Sequence, residues 1–65
     1  HDLTNREREI LRLFADGFSN QEISSRLNIS VRTVETHKTN IMQKFNFRST
    51  VEMVKFAIRN NLSEI

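Results

Sequence analysis

Cysteine and proline are absent from this chain, as are tryptophan and tyrosine, and glycine occurs once. Without Cys, neither a disulfide framework nor a thiolate metal site can hold a small fold together. The same absence is compatible with a reducing compartment. Without Pro, and with Gly17 alone, the sequence favours helices joined by short turns. No apolar run approaches the ~20 residues that a membrane span requires, and the polar, charged start of the sequence carries no secretory signature. No repeat, low-complexity tract or linker divides the 65 residues, so one domain is expected over 1–65. A domain this small buries only about 60% of the surface its unfolded chain exposes. Its stability must rest on a modest core of aliphatic side chains and five Phe residues.

Catalytic equipment is missing as well. An enzyme needs a nucleophile–base pair, a cluster of metal ligands or a glycine-rich phosphate loop, and the sequence shows none of them. The expectation is therefore no enzyme, no catalytic residue, no metal, no cofactor and no small-molecule ligand. His37 has no second His or carboxylate at ligand spacing. It reads as a half-buried structural or phosphate-contacting histidine.

What is present is charge, unevenly spread. The net charge is only +2. Between Arg26 and Arg48, however, stand five cations (Arg26, Arg32, Lys38, Lys44 and Arg48) against Glu35 alone, a surplus of four. Such a basic stretch in a nearly neutral domain suits a polyanion partner, or is simply a solvated face.

Four helices follow from the punctuation, at about 5–16, 20–27, 31–45 and 50–60. Thr4-Asn5-Arg6-Glu7, Ser19-Asn20-Gln21-Glu22 and Ser49-Thr50-Val51-Glu52 are each a capping box, with a hydroxyl at the N-cap and a Glu three residues on. Ser30 can cap the third helix. Gly17 and Asn46 suit the left-handed conformation that ends a helix. Ile10, Leu11, Leu13 and Phe14 form the inner stripe of the first helix, and Ile23 and Leu27 that of the second. In the last helix Val54, Ala57 and Ile58 are expected inward, with Met53 at the edge and Phe56 outside the stripe. Leu62 is expected to close the core.

The third helix carries the informative pattern. At about 100° per residue, Val34, Ile41 and Phe45 share one side, with Val31 and His37 at its flanks. The opposite side presents Arg32, Thr36, Thr39 and Gln43, flanked by Glu35 and Asn40. Short polar side chains there, in place of a Glu/Lys ladder, suit close approach to base edges. Thr is also a poor helix former, so two on an exposed face call for a reason. A short helix, a three-residue turn (Leu27-Asn28-Ile29) and a longer helix with a polar outer face are the parts of a helix-turn-helix.

At these residues the chain resembles a known family. Leu3-Thr4-Asn5-Arg6-Glu7-Arg8-Glu9-Ile10-Leu11, Gly17-Phe18-Ser19-Asn20-Gln21-Glu22-Ile23, Ile29-Ser30-Val31-Arg32-Thr33-Val34-Glu35-Thr36-His37 and Asn40-Ile41-Met42-Gln43-Lys44-Phe45 are similar to the LuxR/FixJ-type helix-turn-helix domain. The likeness covers nearly the whole chain at the right spacings. Three positions depart from it: the family commonly carries Lys at Gln21, Lys or Arg at Glu35, and Arg at Thr50. The resemblance implies an all-α, four-helix DNA-binding domain of a bacterial transcription regulator. Ser49-Thr50-Val51-Glu52-Met53-Val54 looks like members driven by a phosphorylated receiver domain, which implies a response regulator of a two-component system.

Expected roles follow. Base reading falls to Arg32, Glu35, Thr36, Thr39 and Asn40 on double-stranded promoter or operator DNA. Glu35 either accepts from a cytosine amino group or pairs with Arg32, Lys38 or Thr39. The DNA backbone is assigned to Ser19, Asn20, Gln21, Ser30, Thr33, His37, Lys38, Lys44 and Arg48. The caps among these also expose helix N-terminal N–H groups to a phosphate. The resemblance further implies a homodimer on DNA through the fourth helix, at Val51, Glu52, Lys55, Phe56 and Arg59. RNA polymerase is a further partner it allows, and a cytoplasmic, nucleoid-associated location goes with it; no membrane is involved. Two other readings stay open at this point: a helical module that docks a protein, and a sigma-factor promoter-reading domain, which shares the corner motif.

Overall fold

The computed structural model describes residues 3–60, and the expectation for Leu62 lies outside them. Among the described residues there are four α-helices and no strand: α1 (Asn5–Ala15), α2 (Asn20–Leu27), α3 (Val31–Phe45) and α4 (Thr50–Arg59).

Each helix starts where a short hydroxyl side chain takes over an orphan backbone donor. Thr4 accepts from the Glu7 N–H at 3.1 Å while Glu7 accepts from the Thr4 N–H at 3.0 Å. Ser19 and Glu22 repeat the exchange at 3.2 and 2.8 Å. The third expected box forms only by half. Ser49 accepts from the Glu52 N–H at 3.3 Å, but the Glu52 carboxylate takes the N–H of Arg48 at 2.7 Å, one residue further out. Ser49 sits at φ −153° rather than the −69° of Thr4, and with this cap the carboxylate takes the neighbouring donor.

Left-handed residues end two helices and follow a third. Asn46 closes α3 at φ 56°, and Gly17 follows α1 at φ 96°. Asn28 closes α2 at φ 57° in the same way, a role that lay hidden inside the tight turn. Asn tolerates this conformation because its short polar side chain bonds locally. α1 stops at Ala15 with Asp16 as cap, and α4 stops at Arg59 with Asn60 as cap, one residue short of each expected end.

The core has two lobes. Ile10, Leu13, Ile23 and Val34 join α1, α2 and the front half of α3, with Phe18, Leu27 and Ile29 packed against them. Leu11, Ile41, Met53 and Ala57 join α1, the rear half of α3 and α4, with Phe45, Phe47 and Phe56 alongside. Phe14 packs against both lobes. α3 is therefore held at both ends, over α2 at its start and over α1 at its finish. Its polar face is left outward.

The fourth helix corrects three expectations. Met53 is fully buried, whereas Ile58 is 55% exposed and points away from the core. Phe56 is not outside the stripe: its ring lies 4.7 Å from that of Phe45 and 5.4 Å from that of Phe47. Such tilted ring pairs sit in the favourable range of separations. The aromatic trio draws α4 round about its axis, which brings Met53 in and turns Ile58 out.

Candidate nucleic-acid interface

The helix-turn-helix corner is built by the α2 C-terminus, the Asn28 turn and the Ser30 cap. Ile29 donates its N–H to the Ser24 carbonyl at 3.0 Å, which closes the turn around the left-handed Asn28. The Ser30 hydroxyl accepts from the Thr33 N–H at 3.0 Å and shares a hydrogen bond with the Thr33 hydroxyl at 2.9 Å. Val34, one residue further on, is fully buried and anchors the start of α3.

All five expected base readers come together. Arg32, Glu35, Thr36, Thr39 and Asn40 are exposed and line one shallow depression of about 310 Å³ on the outer face of α3. The Thr36 hydroxyl donates to the Arg32 carbonyl at 3.0 Å, which commits its proton to the helix backbone and leaves only its lone pairs to accept. Glu35 makes no ion pair among the described residues. Of the two alternatives for Glu35, pairing with Arg32, Lys38 or Thr39 is not formed among the described residues, and the exposed carboxylate is open to solvent or to a ligand.

The residues assigned to the DNA backbone lie in several places. Ser19 and Gln21 are exposed at the start of α2; Asn20 is half-buried, with its Oδ1 enclosed and unpartnered among the described residues. Ser30 and Thr33 open α3. His37 is half-buried on the flank of α3. The Lys38 ammonium lies 5.2 Å from the centre of the Phe14 ring, a cation–π contact that holds the charge against α1. Arg48 is exposed beside the α4 cap.

Lys44 is placed differently. Its ammonium donates to Glu7 Oε1 at 2.6 Å, across 37 residues of sequence. Glu7 is only 4% exposed. Burial pushes its carboxyl upward. The hydrogen bonds from Lys44 and from the Thr4 backbone, with the Lys44 charge, outweigh burial and hold it below the ordinary carboxylate value. Glu22 is lowered too, chiefly by its bonds from Ser19. The Glu7–Lys44 pair was missed in the sequence, although a signal existed. Glu7 falls at i−3, i−4 and i−7 from Ile10, Leu11 and Phe14, on the inner stripe of α1. A second unforeseen contact sets the Arg26 guanidinium 4.1 Å over the Phe18 ring, at the end of α2.

The residues expected at a dimer contact divide between two faces of α4. Val51, 61% exposed, shares the outer face with Ile58, seven residues on, and with Lys55. Glu52, Phe56 and Arg59 instead turn toward a hollow of about 300 Å³ beside Phe45 and Phe47, where Lys55 also lines the rim.

A four-helix domain with a braced corner, a protruding second corner helix and a polar outer face on that helix is a helix-turn-helix DNA-binding domain of the transcription-regulator class. The chain belongs to the GerE family of bacterial regulatory proteins, the luxR family, whose model matches residues 1–57. It is 52% identical over 60 residues to the oxygen regulatory protein NreC of Staphylococcus carnosus (strain TM300), covering 92% of this chain and 28% of that protein. It is 49% identical over 65 residues to the uncharacterized response regulatory protein YgeK of Escherichia coli (strain K12), covering 100% of this chain and 44% of that protein. The chain thus spans less than half the length of these curated relatives. Among the described residues no helix is long and apolar enough to cross a membrane.

Proposed function

We propose that this domain regulates transcription by laying α3 in the major groove of promoter DNA and reading base edges with Arg32, Glu35, Thr36, Thr39 and Asn40. The observation that carries this reading is the single depression those five exposed side chains line, on a helix held at both ends. Short hydroxyls, an amide, a carboxylate and a guanidinium supply both donors and acceptors for the distinct pattern each base pair shows in that groove. Ser19, Gln21, Ser30, Thr33, His37, Lys38 and Arg48, with the backbone N–H groups of the α2 and α3 starts, set the register on phosphates.

The names of NreC and YgeK as regulatory proteins support a place for this domain as the effector of a two-component response regulator. Promoter binding brings such a domain beside RNA polymerase, on the nucleoid of a bacterial cytoplasm. One reading helix spans too few base pairs for selectivity, so two copies on adjacent half-sites bind as a pair. Val51, Lys55 and Ile58 form the α4 face for that contact. The patch is small against the ~1,200 Å² of a stable interface, so pairing is weak without DNA.

Salt titration tests the DNA reading. Binding should weaken linearly in log–log form as salt rises. Lys38→Ala and Arg48→Ala should each lower the slope's magnitude by roughly 0.9 on any sequence. A protein-docking module would show a flat salt response, and that result would reject the proposal.

A further inference from the structure

We infer that Glu7, on α1 and remote from the reading face, is a positioning residue for base recognition: through Lys44 it sets the roll of α3. The inference rests on α3 being the reading helix.

α3 is seated on the core by Val34 and Ile41, both fully buried. These lie seven residues apart, so they fall on nearly one line along the helix. Apolar contact along a line is non-directional and resists rolling about it weakly. The Lys44 ammonium is the off-line restraint on one side of α3, opposite Met42 and Lys38, which pack toward the core and the Phe14 ring on the other. Its position on α3 stands roughly 80° round from Val34, at 100° per residue. From there it reaches back to Glu7 Oε1 at 2.6 Å.

The carboxylate is itself buried and doubly bonded. The same Oε1 accepts the Thr4 N–H at 3.0 Å, and the side chain is 6% exposed where that of Lys44 is 35%. A charge-assisted hydrogen bond to such an acceptor is short and directional. Asn40, a reader, shares with Glu7, Gln43 and Lys44 a second depression of about 390 Å³, next to the one that reads. The clamp and the reading face therefore meet at Asn40.

The geometry gives the effect its size. Side-chain tips stand about 5–6 Å from a helix axis, so a roll of about 10° moves them by about 1 Å. That is enough to spoil a hydrogen bond to a base edge, whose useful range is about 0.5 Å wide. Phosphate contacts through the long, flexible Lys38 and Arg48, and those from α2, which does not roll with α3, tolerate such a shift. Loss of the clamp should therefore reduce specific affinity and leave non-specific affinity in place.

The experiment measures affinity for the best selected site and for random DNA, across a salt series, with far-UV circular dichroism confirming full helicity. Glu7→Gln keeps an acceptor for Thr4 and strips the Lys44 bond of its charge assistance, so it serves even if Lys44→Met fails to fold by leaving the Glu7 charge without its cation. Glu7→Gln should lose about tenfold on the best site, in the range of one lost base contact. It should bind random DNA as wild type does, with an unchanged salt slope. Lys44→Met, and the double variant, should match it without additivity. A slope reduced by roughly 0.9 in Lys44→Met on all sequences would place Lys44 on a phosphate and overturn the proposal. So would a folded Glu7→Gln with an unaltered ratio of specific to random binding. If wild type itself showed no preference for any site, the base-reading role of α3 would fall, and this inference with it.

Discussion

At the scale of single residues, caps and left-handed closures decide where helices begin and end. Thr4, Ser19, Ser30 and Ser49 were readable as caps because a hydroxyl ahead of a periodic apolar run has one physical use there. Asn28 was less readable, since Asn in a turn serves several turn types equally well. Glu7 is the residue with the most consequences. Its carboxyl is held below the ordinary value of 4.5 in the folded chain. A depressed carboxyl adds stability at pH above its unfolded value, and that stability is lost as pH falls through the folded value. Thermal melts should therefore be nearly level from neutrality to about pH 5 and decline below it. In Glu7→Gln the decline should be shallower, with a remainder from Glu22, also lowered. Superimposable profiles for the two proteins would remove Glu7 from the acid response.

Among elements, α3 was legible and α4 was not. α3 separates its apolar residues from its polar ones, so Val34, Ile41 and the polar outer face could be placed from period alone. α4 has ten residues, of which Val51, Met53, Val54, Phe56, Ala57 and Ile58 are apolar. Glu52, Lys55 and Arg59 share one side, but the apolar arc from Phe56 round to Val51 is wider than the buried stripe, so period cannot choose which edge of it lies inward. The choice is made by Phe45 and Phe47, which lie outside the helix and pull Phe56 into their trio. Truncation should show the difference: Met53→Ala should cost about 2–5 kcal/mol, and Ile58→Ala within about 0.5 kcal/mol. Chemical denaturation would measure both, and equal losses would contradict the packing described. The exposed side of the same helix bears on assembly. The free domain should sediment as a monomer at micromolar concentration, while a two-fold operator recruits two copies. Val51→Glu should prevent the second copy from joining without changing the melting point. Paired occupancy that survives this change would exclude α4 as the contact.

Considered as a whole, the molecule is a frame that presents one helix. Two core lobes, one on each side of Phe14, grip α3 front and rear, and the Glu7–Lys44 pair ties it to α1. The fold could be read almost entirely from pattern and caps. The exposed polar residues of the α3 outer face could also be named, because exposure on a helix follows from period. Long-range pairings could not: Lys44 with Glu7, Lys38 with Phe14 and Arg26 with Phe18 depend on how helices cross, which period does not encode. Of these, the Lys44–Glu7 pair turns one charge of an apparent cationic surface into internal bracing. The central claim is that the outer face of α3 reads sequence. Selection of bound sites from random DNA, run in parallel on wild type and Thr39→Ala, tests it most directly. Wild type should yield a defined site, and Thr39→Ala should bind it about 1–3 kcal/mol more weakly, with preference relaxed at one base-pair position. An equal loss on every sequence, with the selected site unchanged, would contradict the claim.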